Sequence, residues 1–172
     1  MNVHEAIRSR SSVRQYLPAP VPEESLTKVL EAARIAPSSS NRQEWRFVVI
    51  RDEERRRRLA TAANGQMWIA GAPVIIAAIG IDPRSIMTCG IPRYAVDLSI
   101  AITHMMLAAM EENLGTCWIG AFSQDKVREI LGVSDDCMVV TIMPLGYHDF
   151  RFSGPKLRKR LEDIVRYEID SK

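Results

Sequence analysis

The sequence predicts an α+β fold in one domain that spans residues 1–172. Helical and strand patterns alternate along the chain, two strand candidates are continuous apolar runs that suit a buried sheet, and one long helix pattern carries an apolar stripe. With 47% hydrophobic and 26% charged residues, a chain of this length is able to bury an ordinary core without disulfides or metals. No repeat, linker or low-complexity tract divides the sequence.

Five segments have helical patterns. In the longest, Leu98, Ile102 and Met105 recur at helical spacing, and Gly115 can close the helix. This stripe could belong to a cofactor-binding surface, but a hydrophobic central helix explains it better. The predicted helices are residues 2–9, a segment from Pro22 that ends before Pro37, 52–63, 92–113, and 123–131 with Ser123 as N-cap and Gly132 beyond its end.

Four segments have strand patterns, being either rich in β-branched and aromatic residues or continuously apolar. The predicted strands are residues 45–50, 74–81, 116–120 and 138–146. The chain after residue 150 has no evident place within a single domain. Because Val165, Tyr167 and Ile169 alternate there, this end could add a strand to a sheet edge, and that edge could belong to a second copy of the chain.

The charge pattern argues against a nucleic-acid partner. The net charge is only +2, and the four arginines at 55–58 directly follow Asp52, Glu53 and Glu54. Acids ahead of bases favour a solvated helix with ion pairs between successive turns. A nucleic-acid-binding module that uses these arginines stays open as a minor alternative, and salt-dependent DNA binding would be its signature.

Cysteine and histidine usage gives no disulfide or metal signal. Cys89, Cys117 and Cys137 include no CxxC pair, and the three histidines are isolated from them and from one another. The N-terminus is charged where a signal peptide needs an apolar core, and the apolar stretch 72–81 is too short to cross a bilayer. We therefore expect no membrane association and a cytoplasmic location.

Three polar or basic clusters could carry chemistry. Residues 8–14 combine arginines and serines at the end of the first helix, which are the parts of a phosphate cradle. Residues 37–45 form a polar loop between a helix and a strand. In the third cluster, residues 155–159, Lys156 and Arg158 would point the same way if the segment is extended. Each cluster alone is more often plain solvated surface than a site.

Together and in order, five motifs resemble the nitroreductase family of FMN-dependent oxidoreductases. The motifs are RSRSSVRQY at 8–16, APSSSNRQEW at 36–45, NGQMWIAGAPVII at 64–76, LGTCWIGAF at 114–122 and PKLRKRLEDIV at 155–165. The resemblance covers nearly the whole chain. It implies a three-layer α-β-α fold with a central mixed, mainly antiparallel sheet flanked by helices, and a C-terminal strand exchanged in a homodimer.

The first motif is similar to the one that holds the phosphate and ribityl chain of FMN. The resemblance therefore places Arg10, Ser11 and Ser12 at that end of the flavin. It places Arg14, four residues after Arg10, at the pyrimidine edge of the ring.

The second motif is similar to a loop that the other subunit supplies across the dimer interface. The resemblance assigns Pro37, Ser38, Ser39 and Asn41 to this role. Glu44 departs from the family pattern, which usually has proline at this position, so the rigidity of the loop and its charge near the substrate are open points.

The remaining motifs complete the expected cofactor site. Gln66 matches a polar position near the ring, and Ile119 and Gly120 match the loop that passes the flavin N5 edge. Lys156 and Arg158 match a late basic pair at the phosphate. No Ser-His-Asp or Cys-His set is apparent, so no residue is expected to act as a general acid or base.

The resemblance implies an enzyme that transfers electrons from NADH or NADPH to a small acceptor, such as a nitroaromatic or a quinone, by ping-pong turnover. The segment between Ile81 and Tyr94 is short, leaving little room for the helices that larger relatives insert over the flavin. A flavin-binding or sensing protein with little turnover is therefore the alternative. The sequence has no GxGxxG motif that could distinguish NADH from NADPH.

Overall fold

A four-stranded antiparallel sheet lies at the centre of the computed structural model, which describes residues 1–149 and 156–168. The strands are β1 (Trp45–Ile50), β2 (Val74–Gly80), β3 (Leu114–Thr116) and β4 (Met138–Tyr147). They pair in the order β1-β2-β4-β3, and each of these pairs is antiparallel. A single parallel bridge from Ser12 to Thr116 extends the β3 edge. The predicted α+β class with a mainly antiparallel sheet is confirmed.

All five predicted helices are present. The structure has α1 (Val3–Ser9), α2 (Glu23–Arg34), α3 (Glu53–Ala62), α4 (Arg93–Glu111), α5 (Gln124–Leu131) and the short α6 (Leu161–Ile164). Local signals set their ends: the Ser123 side chain accepts a hydrogen bond from Lys126 N, and Gly132 ends α5 with φ at 67°. These signals lie within a few residues of α5, which explains why the sequence shows them. The prediction that Gly115 closes α4 is wrong: the helix ends at Glu111, the chain turns at Asn113 with φ at 56°, and Gly115 lies inside β3.

Helices cover both faces of the sheet and give three layers. Strand β2 is buried along its whole length, and its alternate residues belong to two separate hydrophobic clusters. Ile76 packs with residues of α2 and α4 on one face, whereas Ile75 packs with residues of α3 and α5 on the other. A strand with both faces covered needs a continuous apolar run, which is the pattern that predicted it.

The predicted strand 116–120 is wrong in its extent, because β3 ends at Thr116. Beyond it, Ile119 makes only one isolated bridge, to Ile142 of β4. The Thr141 side chain accounts for the difference: its hydroxyl accepts a hydrogen bond from Ile119 N at 3.2 Å and donates one to Ile119 O at 2.9 Å. This side chain satisfies backbone groups that a longer strand ladder would have paired.

The C-terminal segment contains a short helix directly before the residues whose alternation suggested a strand. Residues 161–164 form α6, and no strand occurs within residues 156–168. Tyr167 is 96% exposed, and Ile169, the last residue of the alternating pattern, lies outside the described residues. The exchange of a C-terminal strand between subunits stays a prediction.

Neither a membrane span nor a metal cluster is found in the described part of the chain. None of its helices is both long and apolar enough to cross a bilayer. Within the same residues, no three histidine, cysteine, aspartate or glutamate side chains are grouped so that they could hold a metal ion.

Candidate functional site

A cluster of three cations joins the two ends of the chain. The Lys156 ammonium donates a hydrogen bond to the backbone carbonyl of Arg10. Burial, together with the nearby charges of Arg10 and Arg158, holds the pKa of Lys156 below its ordinary value of 10.5. None of these three side chains takes part in the ion pairs found among residues 1–149 and 156–168. The cluster therefore presents positive charge that an anion can neutralise.

The segment after Arg10 lies along the β3 edge, above a buried thiol. Val13 N donates to Thr116 O at 3.0 Å, which fixes the half-buried Ser11 and the exposed Ser12 beside the strand. Burial raises the pKa of the Cys117 thiol. The opposing effects of Arg14, the Ser12 hydroxyl and Arg10 place these groups close to the sulfur. The structure thus brings the predicted residues of the first motif together with the cationic cluster.

Arg14 and Gln66 meet at a short 3-10 turn, residues Met67–Gly71. The Arg14 guanidinium carbon lies 5.8 Å from the centroid of the Trp68 ring, which is within range of a cation–π interaction. Gln66 Nε2 donates to Ala63 O at 2.9 Å and to Ala121 O at 3.4 Å. The second bond connects the turn to the residue that follows Gly120.

Arg56 stabilises the same turn through hydrogen bonds to backbone carbonyls at its end. Its Nη1 donates to Ala70 O at 2.5 Å and to Ala72 O at 2.6 Å. Arg57 pairs with Glu53 and Arg58 with Glu129. Three of the four arginines at 55–58 therefore have partners within the chain, which favours the solvated-helix interpretation of this run over a nucleic-acid patch.

The Gly120 backbone is open to an approaching ligand. A Cβ atom built on Gly120 would come no closer than 3.6 Å to another heavy atom, Trp118 Nε1, and this is ordinary van der Waals contact. The fold itself therefore does not require glycine here. The preceding residue, Ile119, is held on both its N–H and C=O by Thr141. Sequence analysis missed Thr141, although one hydroxyl within the apolar run of β4 was a signal.

The predicted partner loop lies at the opposite corner of the sheet. Thr116, which bridges to Ser12, pairs with Leu145 of β4, and Leu145 pairs with Val74 next to the end of β1. The loop precedes the start of β1, at the other edge. Trp45, at the start of β1, pairs with Gly80, six residues along β2 from Val74. With strands about 4.8 Å apart and about 3.3 Å per residue, the two corners are separated by roughly 19 Å across the sheet and roughly 20 Å along it. One chain does not bring them together.

The loop has a defined and strained shape. Ser40, Asn41 and Gln43 adopt positive φ angles of 53°, 54° and 54°, which non-glycine residues rarely adopt. Ser38 Oγ accepts a hydrogen bond from Gln43 N at 3.1 Å, and Ser39 N donates to Asp97 Oδ1 at 3.0 Å. Pro37, the first residue of the predicted set, is exposed.

Glu44, the departure from the family pattern, forms an ion pair with Arg42. Its side chain is only 18% exposed, and its backbone carbonyl accepts from Ile81 N at 3.2 Å. The carboxylate is therefore partly neutralised within the loop.

Comparison with known protein families matches the chain to one family. The model of the nitroreductase family matches residues 7–80 and 68–147. A protein of Archaeoglobus fulgidus, whose name proposes an NADH dehydrogenase or NAD(P)H nitroreductase activity, is 32% identical over 147 residues. That match covers 82% of this chain and 82% of the relative.

Solved structures give the same result. A nitroreductase family protein from Clostridium difficile 630 superposes with a TM-score of 0.87 and 36% identity, over 98% of this chain and 99% of that one. An NADPH:FMN oxidoreductase from Vibrio harveyi, solved in complex with NAD+, superposes with a TM-score of 0.87 and 27% identity, over 98% of this chain and 78% of that one.

Proposed function

Because the chain belongs to the nitroreductase family, we propose that it binds FMN and transfers electrons from NADH or NADPH to a small acceptor such as a nitroaromatic or a quinone. The observation that carries the proposal is the cationic cluster of Arg10, Lys156 and Arg158, which has no acidic partner among the described residues. A flavin with a phosphate is the family ligand whose charge such a cluster complements.

The residues present fit the two ends of FMN. The cluster and the Ser12 hydroxyl offer charge-assisted hydrogen bonds to a phosphate that is mostly dianionic at neutral pH. A flat ring needs close backbone approach and a polar rim, and Gly120 and Gln66 provide these at the other end of the same surface. When bound, FMN supplies the hydride and electron chemistry.

The chain's own residues place and tune the ligand. Arg10, Lys156 and Arg158 would hold the phosphate, and Arg14, which lies beside Trp68, would supply positive charge at the pyrimidine edge of the ring. Ile119 and Gly120 would present backbone groups to the reactive edge of the ring, and Thr141 keeps the Ile119 backbone in place. Reductant and acceptor occupy the same open surface in turn, which is a ping-pong order.

We further propose a homodimer with shared sites. Pro37, Ser38, Ser39 and Asn41 lie too far from the cationic cluster to serve it within one chain, so they serve the site of the partner. A shallow groove of about 510 Å³ runs along the outer face of α4, next to this loop, and offers apolar surface to a second subunit. It is lined by Ala95, Val96, Ser99, Ile100, Thr103 and His104.

A second candidate is a flavin-binding or sensing protein with little turnover. Residues 82–92 form only a small hairpin, closed by a bridge between Ile86 and Pro92, so the chain has little material to cover a bound flavin. An open flavin favours exchange with solvent over protected turnover.

Titration of the purified protein with FMN, combined with steady-state oxidation of NADH and NADPH, tests both candidates. Tight FMN binding with acceptor-dependent turnover supports the enzyme, and tight binding without turnover on nitroaromatics or quinones supports the sensor. Absence of FMN binding would contradict both.

We also propose a cytoplasmic location. The three cysteines are free, which suits a reducing compartment.

A further inference from the structure

We propose that Asp97 and Arg93, on the first turns of α4, are positioning residues that hold the loop at residues 37–43 in the shape that the neighbouring subunit's flavin site uses. The inference rests on the proposed function, and it assigns a role to two residues outside the five motifs. Both act through Ser39, which precedes the strained part of the loop.

The loop needs outside support to keep its shape. Three of its non-glycine residues, Ser40, Asn41 and Gln43, adopt left-handed backbone conformations. Such conformations persist only where surrounding contacts stabilise them. The contacts within the loop, from Gln43 to Ser38 and Asn41, connect its members to one another but not to the rest of the fold.

Asp97 and Arg93 provide that support from α4. Ser39 N donates to Asp97 Oδ1 at 3.0 Å, and Arg93 Nη1 donates to the Ser39 hydroxyl. Arg93 Nε also donates to Ser85 Oγ at 3.0 Å, so the guanidinium connects the loop to the hairpin at residues 82–92. A single side chain thus joins Ser39 of the loop to Ser85 of the hairpin, 46 positions further along the chain.

The burial of Asp97 is not explained by apolar packing, because its side chain is a carboxylate. Asp97 is only 4% exposed and lies between Val96 and Leu98 in α4. A buried carboxylate is costly unless its oxygens are hydrogen-bonded. The hydrogen bond that the structure gives it comes from the loop, so the loop is the feature that this carboxylate serves.

Three variants test the positioning role. Asp97→Ala removes the acceptor and should raise the Kd for FMN about ten- to hundredfold, the usual loss for one hydrogen bond to a charged group. Asp97→Asn keeps an Oδ1 acceptor for Ser39 N and should stay within about threefold of the wild type. Glu112→Ala is the matched control, because it removes a carboxylate bonded to Ser25 and Lys28 at the far end of α4.

Mixed dimers give the decisive measurement. We would combine Asp97→Ala subunits with Arg10→Ala subunits and titrate FMN against the isolated mixed dimer. One of its two sites then pairs an intact cationic cluster with an intact loop, so one tight FMN per dimer is expected, whereas both parent homodimers bind weakly. If Asp97→Ala is too unstable to isolate, Arg93→Met takes its place.

Two kinds of result would overturn the inference. The first comes from the single variants: Asp97→Ala binds FMN as tightly as Glu112→Ala does, or Asp97→Asn binds FMN as weakly as Asp97→Ala does. The other is a mixed dimer without a tight site, which would mean that the loop serves its own subunit or that Asp97 merely stabilises its own fold. A wild-type protein that fails to bind FMN contradicts the proposed function itself, before any variant is compared.

Discussion

Arg10 and Arg158 come from opposite ends of the chain and flank the same ammonium group, so their removal should have the same effect. Arg10→Ala or Arg158→Ala should weaken FMN binding about ten- to hundredfold, because a hydrogen bond to a charged group contributes about 1.5–3 kcal/mol. Riboflavin, which lacks the phosphate, should be affected far less. Parallel titrations of both flavins measure the ratio, and an equal loss for the two ligands would place these arginines elsewhere.

The pKa of Lys156 gives the site a pH dependence. Burial and its two cationic neighbours hold the pKa of Lys156 below 10.5 in the free protein, and a bound phosphate would raise it again. FMN binding then takes up a proton, so FMN affinity should fall as pH rises through the interval between the two pKa values. At lower pH Lys156 is charged in both states and contributes no slope.

Substitution by arginine isolates this effect. Lys156→Arg keeps its charge throughout the alkaline range, so its FMN affinity should lose the slope that the wild type shows. Riboflavin titrated over the same pH range reports any dependence that belongs to the ring. An identical slope in wild type and Lys156→Arg would exclude Lys156 as the titrating group.

Arg14 should behave differently from Arg10. In the free chain its guanidinium is near Trp68 and not within the cationic cluster, so Arg14→Ala should leave the ratio of FMN to riboflavin affinity nearly unchanged. It should instead lower the reduction potential of the bound flavin by roughly 30–60 mV, the two-electron equivalent of one charge-assisted hydrogen bond to the reduced ring. A selective loss of FMN in Arg14→Ala, but not in Arg10→Ala, would reverse the two assignments.

At the scale of elements, Gly115 in β3 and Gly120 beyond it differ in whether the fold has room for a side chain. A Cβ on Gly115 would lie 2.5 Å from His148 Cδ2 and 2.7 Å from Val13 Cγ2, whereas one on Gly120 meets nothing closer than 3.6 Å. Gly120→Val should therefore fold with a near-normal melting temperature and lose FMN. Gly115→Ala should lower the melting temperature through overpacking, by an amount that corresponds to about 1–3 kcal/mol. Wild-type FMN occupancy in Gly120→Val would mean that Gly120 merely follows a strand.

The same elements show what a sequence can reveal. The helices and the buried strand β2 were predicted because periodicity, caps and apolar runs are local signals. The end of β3 was predicted wrongly because it depends on the Thr141 hydroxyl, 22 positions from Ile119. The role of Asp97 was not predicted, because its hydrogen-bond partner, Ser39, is 58 positions away in the sequence. The site motifs were found through family resemblance, and the geometry that unites Arg10 with Lys156 spans 146 positions.

At the scale of the whole molecule, the sheet order separates two parts of the proposed site. The first motif lies beside β3 and the partner loop precedes β1, which are the two outer strands. In the proposed dimer, the loop of the second copy reaches the cationic cluster. The same second copy could cover the apolar side chains that the C-terminal segment exposes, including Leu161 and Ile164 of α6.

The last prediction is therefore that the protein is an obligate homodimer whose C-terminal segment lies in the interface. Leu161 and Ile164 are 69% and 64% exposed in the single chain. Replacing both by serine should raise the dimer dissociation constant at least about a hundredfold, because each buried aliphatic side chain contributes about 1.5–3 kcal/mol. Glu162→Gln, in the same helix, changes a charge without removing apolar surface and should leave dimerisation intact. Light scattering at micromolar concentration, with FMN occupancy recorded on the same samples, provides the measurement. A wild-type monomer that still holds FMN would refute the shared site. If the serine variant still forms the dimer as tightly as the wild type, the C-terminal segment lies outside the interface.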